Sequence, residues 1–241
     1  MILEVCVDDA GGLAAAIEGG ADRIELCAAL ALGGLTPPPG LMALAARAPI
    51  PVMAMIRPRA GGFVWSAQEG RQMRDDIAAA RAAGLSGVVI GASLADGRLD
   101  ADLLAELVAE ARGMDLTLHR AIDLVPDRDA ALGLCRALGI GRVLTSGGAR
   151  TAAEGARALA AMAGQGVTIM PGGGIAADTA AALVRATGAR EIHASCSVPA
   201  TPDVRLMAFG FLPPGQRRTD VDKVRALRQA LDQIGAGPPS G

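Results

Sequence analysis

The sequence predicts an α/β fold: a (β/α)8 TIM barrel in a single domain. Three observations predict it. Short apolar strand-like runs alternate with alanine-rich helical stretches, the runs number eight, and the turn after the first run, Asp8-Asp9-Ala10-Gly11-Gly12, lacks the G-x-G-x-x-G spacing of a doubly wound dinucleotide-binding sheet. The strands are expected at 3–7, 23–27, 52–58, 87–92, 116–122, 142–146, 167–171 and 191–195. The barrel then spans 1–234, and the Gly- and Pro-rich stretch 235–241 reads as a disordered tail.

Each element has its own signal. The first two strands repeat one pattern, Glu4-Val5-Cys6 and Glu25-Leu26-Cys27. Strand side chains alternate faces, so each Glu shares a face with its Cys, while Leu3, Val5, Val7, Ile24 and Leu26 take the opposite face and pack on helices. The third strand brings Met53, Met55 and Arg57, with Arg59 just beyond; the fifth brings His119 and Arg120, followed by Asp123. Ser146 ends the sixth, three glycines, Gly172, Gly173 and Gly174, follow the seventh, and the eighth carries His193 and Ser195. Helix starts are signalled by capping boxes at Ser66 with Glu69 and at Thr151 with Glu154, and Thr219 is expected to cap the last helix. Cys135, between Leu132 and Leu138 on a helix, reads as a buried apolar thiol.

Composition narrows the function classes. The 241 residues suffice for one large core, and no apolar run is long enough to span a bilayer. The chain opens directly in strand-like sequence without a leader-like stretch, so the expected location is the cytoplasm. Four cysteines without C-x-x-C spacing are expected as reduced thiols. A formal charge of -2, with no basic run, points away from nucleic acid and from anionic membrane as partners.

The polar residues collect on the strands and at their C-terminal ends, the face where barrel enzymes keep their sites. Acids on an inward face need a partner, a proton or a metal. One reading makes the group a satisfied ion-pair cluster, with Glu4 and Glu25 neutralised by Arg57 or Arg120. A second sees carboxylates and imidazoles holding a divalent ion such as zinc or manganese, and a third sees Cys6 and Cys27 as soft ligands for Cu(I). Gly172, Gly173 and Gly174, with Ser195, form a candidate anion site, since glycines let backbone N–H groups approach a phosphate.

Taken in order, Leu3-Glu4-Val5-Cys6, the stretch from Gly20 to Cys27, Gly33-Gly34-Leu35-Thr36-Pro37, Met55-Ile56-Arg57-Pro58-Arg59, His119-Arg120-Ala121, Leu144-Thr145-Ser146-Gly147, Pro171-Gly172-Gly173-Gly174 and Glu191-Ile192-His193 resemble the CutC family of copper homeostasis proteins. The resemblance implies a TIM barrel, a cytoplasmic protein, a homodimer and copper binding or copper tolerance. The chain departs from the family pattern at Arg59-Ala60-Gly61-Gly62-Phe63, where the family's aspartate is replaced, and at Leu118 and Ile122, where aromatics are usual.

Two functions follow. In one, the protein binds copper, with Cys6 and Cys27 as ligands. In the other, a barrel enzyme acts on a small anionic or phosphorylated metabolite, with Glu4 or Glu25 as general base, His119 and His193 as acid or ligand, and Arg57 and Arg120 as anion clamps.

Overall fold

The computed structural model describes residues 1–235. Its elements run β1 (Ile2–Val7), α1 (Ala10–Glu18), β2 (Arg23–Leu26), α2 (Pro39–Ala45), β3 (Val52–Met55), α3 (Ala67–Ala82), β4 (Gly87–Ile90), α4 (Ala101–Glu110), β5 (Asp115–Leu118), α5 (Arg128–Leu138), β6 (Arg142–Thr145), α6 (Ala156–Met162), β7 (Thr168–Pro171), α7 (Ala177–Thr187) and β8 (Glu191–Ala194). A hairpin arm follows, β9 (Ser197–Pro199), α8 (Val204–Ala208) and β10 (Arg217–Thr219), and α9 (Val221–Gly235) ends the described chain. The tail expected from Gly235 lies, apart from that residue, outside the described residues.

The eight principal strands form one parallel sheet in the order β7-β6-β5-β4-β3-β2-β1-β8. The sheet curls until its two edges meet, and there a single bridge, Gly172 to His193, joins the β7 and β8 sides. The result is a TIM-barrel-like α/β fold with incomplete closure, where the sequence predicted a full barrel.

The outward face is as the alternation predicts. Leu3, Val5, Val7, Ile24 and Leu26 have no exposed surface and pack beneath the helices. Burying each such side chain contributes about 1.5–3 kcal/mol, which lets alanine-rich helices hold with few large anchors of their own, such as Met73 and Ile77 on α3 or Leu104 and Leu107 on α4. α9 docks against α7 and α1. At Gly19, the cap of α1, a Cβ would come 2.5 Å from Val224, so the close approach of α9 needs glycine there.

Several boundaries differ from expectation. β5 stops at Leu118 because His119 turns to cap a 3-10 turn, Arg120–Leu124, its imidazole accepting from the Ala121 N–H at 3.1 Å. The Thr151 and Glu154 bonds form, yet they close a turn, and α6 starts later at Ala156. Asp220, not Thr219, caps α9 by accepting from Lys223 N at 3.2 Å. Between the eighth strand and the last helix stands the arm, on which Val204, Phe209 and Phe211 are exposed. Cys135 is buried as predicted, and all four cysteines are free. Among the described residues, no helix is long and apolar enough to cross a membrane.

Candidate metal centre and barrel mouth

Register decides which inward residues meet. β1 pairs with β2 so that Glu4 stands beside Arg23 and Cys6 beside Glu25, while β8 sets His193 beside Glu4. The two glutamates are therefore not level, and Arg23, which the sequence reading passed over, becomes Glu4's partner. Arg23 Nε donates to Glu4 Oε2 at 2.5 Å, and its other arm reaches Glu191 Oε2 at 2.5 Å. Arg142 donates to the same Glu191 oxygen at 2.7 Å and to Thr117 at 3.0 Å. A ladder of alternating charge thus fills the lower interior, and the expected neutralisation of Glu4 by Arg57 or Arg120 is corrected to neutralisation by Arg23 and His193.

His193 links this ladder to the layer above. Its Nδ1 lies 2.8 Å from Glu4 Oε1, and its Nε2 faces Glu25 Oε2 at 3.7 Å. Burial alone would raise the Glu4 pKa, but the hydrogen bond and charge of His193, with Arg23, reverse this and hold it at about 2. Both Glu4 oxygens are committed, so Glu4 does not fit the expected role of general base. Glu25 is the opposite case: burial raises its pKa, Glu4 adds to that, and its Oε1 has no hydrogen-bond partner. Burial would lower the His193 pKa, yet Glu25, Cys6 and Glu4 raise it well above the ordinary value.

Cys6 Sγ, a Glu25 carboxylate oxygen and a His193 ring nitrogen lie within 4.8 Å of one another, all buried, on the adjacent strands β1, β2 and β8. A thiolate, a carboxylate and an imidazole at that spacing can share one ion, and a carboxylate on the imidazole's far nitrogen is the usual device for orienting a ligating histidine. Cys27, the other expected ligand, sits differently. It packs in an apolar pocket with Met53, Met55 and Val89, and burial first, then the Glu25 and Cys6 charges, push its thiol well above the ordinary range. It approaches the cluster only through a 3.6 Å contact from its thiol to Glu25.

At the upper rim, Arg120 is bound into the loop after β6. Its Nε donates to Asp123 at 2.7 Å and one terminal nitrogen to Ser146 at 2.6 Å. Asp123 also accepts from Thr145, from the Ser146 backbone and hydroxyl, and from Gly148 N, which makes it the hub of that loop. Arg57 fixes two other loops, donating to the carbonyls of Leu32, Gly34 and Gly61 at 2.8, 2.9 and 2.9 Å. The Phe63 ring lies 4.6 Å from the His119 ring and 5.3 Å from the Arg57 guanidinium carbon. Trp65 donates its indole N–H to Gly91 O at 2.9 Å, with the Arg59 guanidinium 4.6 Å over its ring.

The glycines after β7 have both packing and turning roles. A Cβ at Gly172 would meet Leu144 at 2.5 Å, and Gly173 and Gly174 take φ of +102° and +72°. Gly174 and Ser195 border a separate cavity of about 790 Å³ that also meets Arg217 and Lys223 under the arm, away from Cys6, Glu25 and His193.

Arg23, Arg142 and Glu191 are the residues the sequence reading missed. Arg23 has the same strand parity as Glu25, and Glu191 the same parity as His193, so the signal was present at the strand starts.

The S. agalactiae CutC structure superposes with a TM-score of 0.78 at 29% identity, over 81% of this chain and 98% of that one. Phosphoribosylanthranilate isomerase from Thermotoga maritima, at 12% identity with a TM-score of 0.61 over 97% of this chain and all of that one, shares the fold alone. In sequence, the family protein CutC of Sinorhizobium medicae is 56% identical, with 98% of each chain covered. That of Rhizobium meliloti is 58% identical over 95% of this chain and 96% of its own. With the CutC family profile matching residues 1–198 as well, the chain belongs to the CutC family.

Proposed function

We propose that this protein binds a metal ion in the barrel mouth through Cys6, His193 and Glu25, and that Cu(I) is the ion. The observation that supports the reading is the convergence of three ligand-type atoms within 4.8 Å, with His193 already oriented by Glu4 at 2.8 Å. A thiolate and an imidazole are soft enough for Cu(I), and copper homeostasis is the role carried in the name of the S. agalactiae relative. The ligand pair differs from the one expected from sequence: His193 takes the place of Cys27. Loading the site replaces protons by a cation, so binding releases protons and weakens at low pH.

The test is an anaerobic Cu(I) titration against a competing chelator, with a parallel Zn(II) titration. Cys6→Ser and His193→Gln should each abolish tight Cu(I) binding, while Cys27→Ser should leave most of it. Glu25→Gln separates the metals, since a divalent ion depends on the carboxylate more than Cu(I) does. Loss of Cu(I) in Cys27→Ser with retention in His193→Gln would overturn the ligand set. Tight Zn(II) binding without Cu(I) competition would overturn the choice of metal.

A further inference from the structure

The cavity beneath the arm has no part in the metal reading. It holds about 790 Å³, the size of a small-molecule site, and it lies where the segments after β7 and β8 meet the start of α9. Its room comes from small residues: Gly174 and Ala176 on one wall and Ala226 on another leave space that Ile175, Val198 and Leu227 line with carbon. The base of the arm closes a further side, where β9 and β10 pair with Arg217 opposite Pro199.

Two cations border this space, Arg217 and Lys223, and among the described residues neither forms an ion pair. Arg217 is held in place by one residue of the neighbouring strand. Its Nε donates to Ser197 Oγ at 2.9 Å and one terminal nitrogen to Ser197 O at 2.7 Å, which leaves the second terminal nitrogen for a ligand. Lys223 lies one helical turn before Ala226 and Leu227, on the same face of α9. Ser195 Oγ and Ser197 Oγ, also on the wall, stand 3.1 Å apart and share one hydrogen, so whichever hydroxyl donates in that bond, the other keeps a proton to give. The first turn of α7 adds the positive end of an eleven-residue helix to charge that the side chains already supply.

We propose that this cavity binds the phosphate monoester of a small hydroxylated metabolite, with Arg217 and Lys223 on the phosphate and Asp178 accepting from a hydroxyl of the carbon body. The donors select the head group. The free Arg217 nitrogen, the Lys223 ammonium and the spare serine hydroxyl match three terminal phosphate oxygens, whereas a carboxylate brings two. Asp178, the one carboxylate on the wall, selects the body, because it repels an anion that brings it no donor. Of the residues marked in the sequence as a candidate anion site, Gly174 and Ser195 border the cavity, and Arg217 and Lys223 supply the charge that site lacked.

The test is isothermal titration calorimetry on the full chain after chelator treatment, so that metal binding plays no part, with glycerol 3-phosphate as probe and glycerate as its carboxylate counterpart. Glycerol 3-phosphate should bind saturably at one site per chain, and glycerate and inorganic phosphate at least about tenfold more weakly. Arg217→Met and Lys223→Met should each weaken the ester about tenfold or more, the scale of a lost hydrogen bond to a charged group. Ala226→Phe, which fills the cavity without removing a charge, should abolish binding. All three positions are exposed, so the variants keep the fold, which circular dichroism checks. No saturable binding, equal affinity for glycerate or inorganic phosphate, unchanged affinity in both cation variants, or full affinity in Ala226→Phe, which would put the anion on the outer surface, would each overturn the proposal.

Discussion

Glu4 shows how far one buried charge depends on its neighbours. It has no exposed surface, and its carboxylate is tolerated because Arg23 and His193 take both oxygens. Arg23→Met leaves Glu4 with His193 alone and Glu191 with Arg142 alone, so two largely buried carboxylates each lose a counter-charge and the variant should destabilise by about 3–5 kcal/mol in urea unfolding. Glu4→Gln, which keeps a hydrogen-bonding amide, should cost less. The histidines give the pH dependence. The folded pKa of His119, about 3, lies below its ordinary 6.5, so the unfolded chain takes up the proton first. Its contribution is complete above pH 6.5 and is lost as pH falls toward about 3. Glu4 adds to the same acid limb, its contribution being complete above 4.5 and lost toward about 2. His193 runs the other way, its raised pKa contributing below 6.5 and losing that contribution as pH rises through the folded value. His119, whose pKa burial and the Arg57 charge hold down, and Glu4 therefore make urea midpoints rise with pH between 3 and 7. Glu25, whose raised pKa contributes below 4.5 and loses that contribution as pH rises, works against the rise. His119→Gln should flatten the part nearest neutrality.

The elements explain what the sequence could and could not say. Alternation put Glu4, Cys6, Glu25 and Cys27 on the inward face correctly because parity is a local property. Which of them touch depends on the offset between strands, which parity does not carry, and the register sets Glu4 beside Arg23 and His193. The strand starts, where Arg23, Arg142 and Glu191 build the ladder, pair residues far apart in the chain, and nothing local in the sequence announces those partners. The cap of the last helix was legible to within a residue, since Thr219 and Asp220 are both good caps and only geometry chooses between them. The arm between β8 and α9 has no periodicity to announce it. Backbone strain was likewise invisible: Ala29, between β2 and the turn Leu30–Leu32, has φ of +49°. That conformation costs a side-chain-bearing residue about 1–2 kcal/mol, so Ala29→Gly should stabilise the protein by about 1 kcal/mol in urea unfolding, the looser unfolded chain offsetting part of the relief.

At the scale of the molecule, apolar packing lies outside the sheet and charge lies within it, with the β2 to β4 side of the interior lined instead by Cys27, Met53, Met55 and Val89. The β7 and β8 edges share one bridge, and α9 binds the last turn of the fold to the first by packing on α7 and α1. The arm stands apart from this economy. Phe209 and Phe211 stack on each other with centroids 6.3 Å apart yet remain 75% and 78% exposed, so the core gains little from them. Phe209→Ser and Phe211→Ser should each change the urea-unfolding free energy by no more than about 0.5 kcal/mol, the usual range for surface positions.

Trp65 gives the molecule an optical property that its fold did not require. The sequence contains one tryptophan and no tyrosine, and that single indole is tethered to Gly91 O on the loop that places Phe63 against His119 and Arg57. Emission excited in the near ultraviolet therefore comes almost entirely from one position on the rim. A solute arriving at the mouth changes the whole protein's fluorescence, while events at the distant strand starts pass unseen.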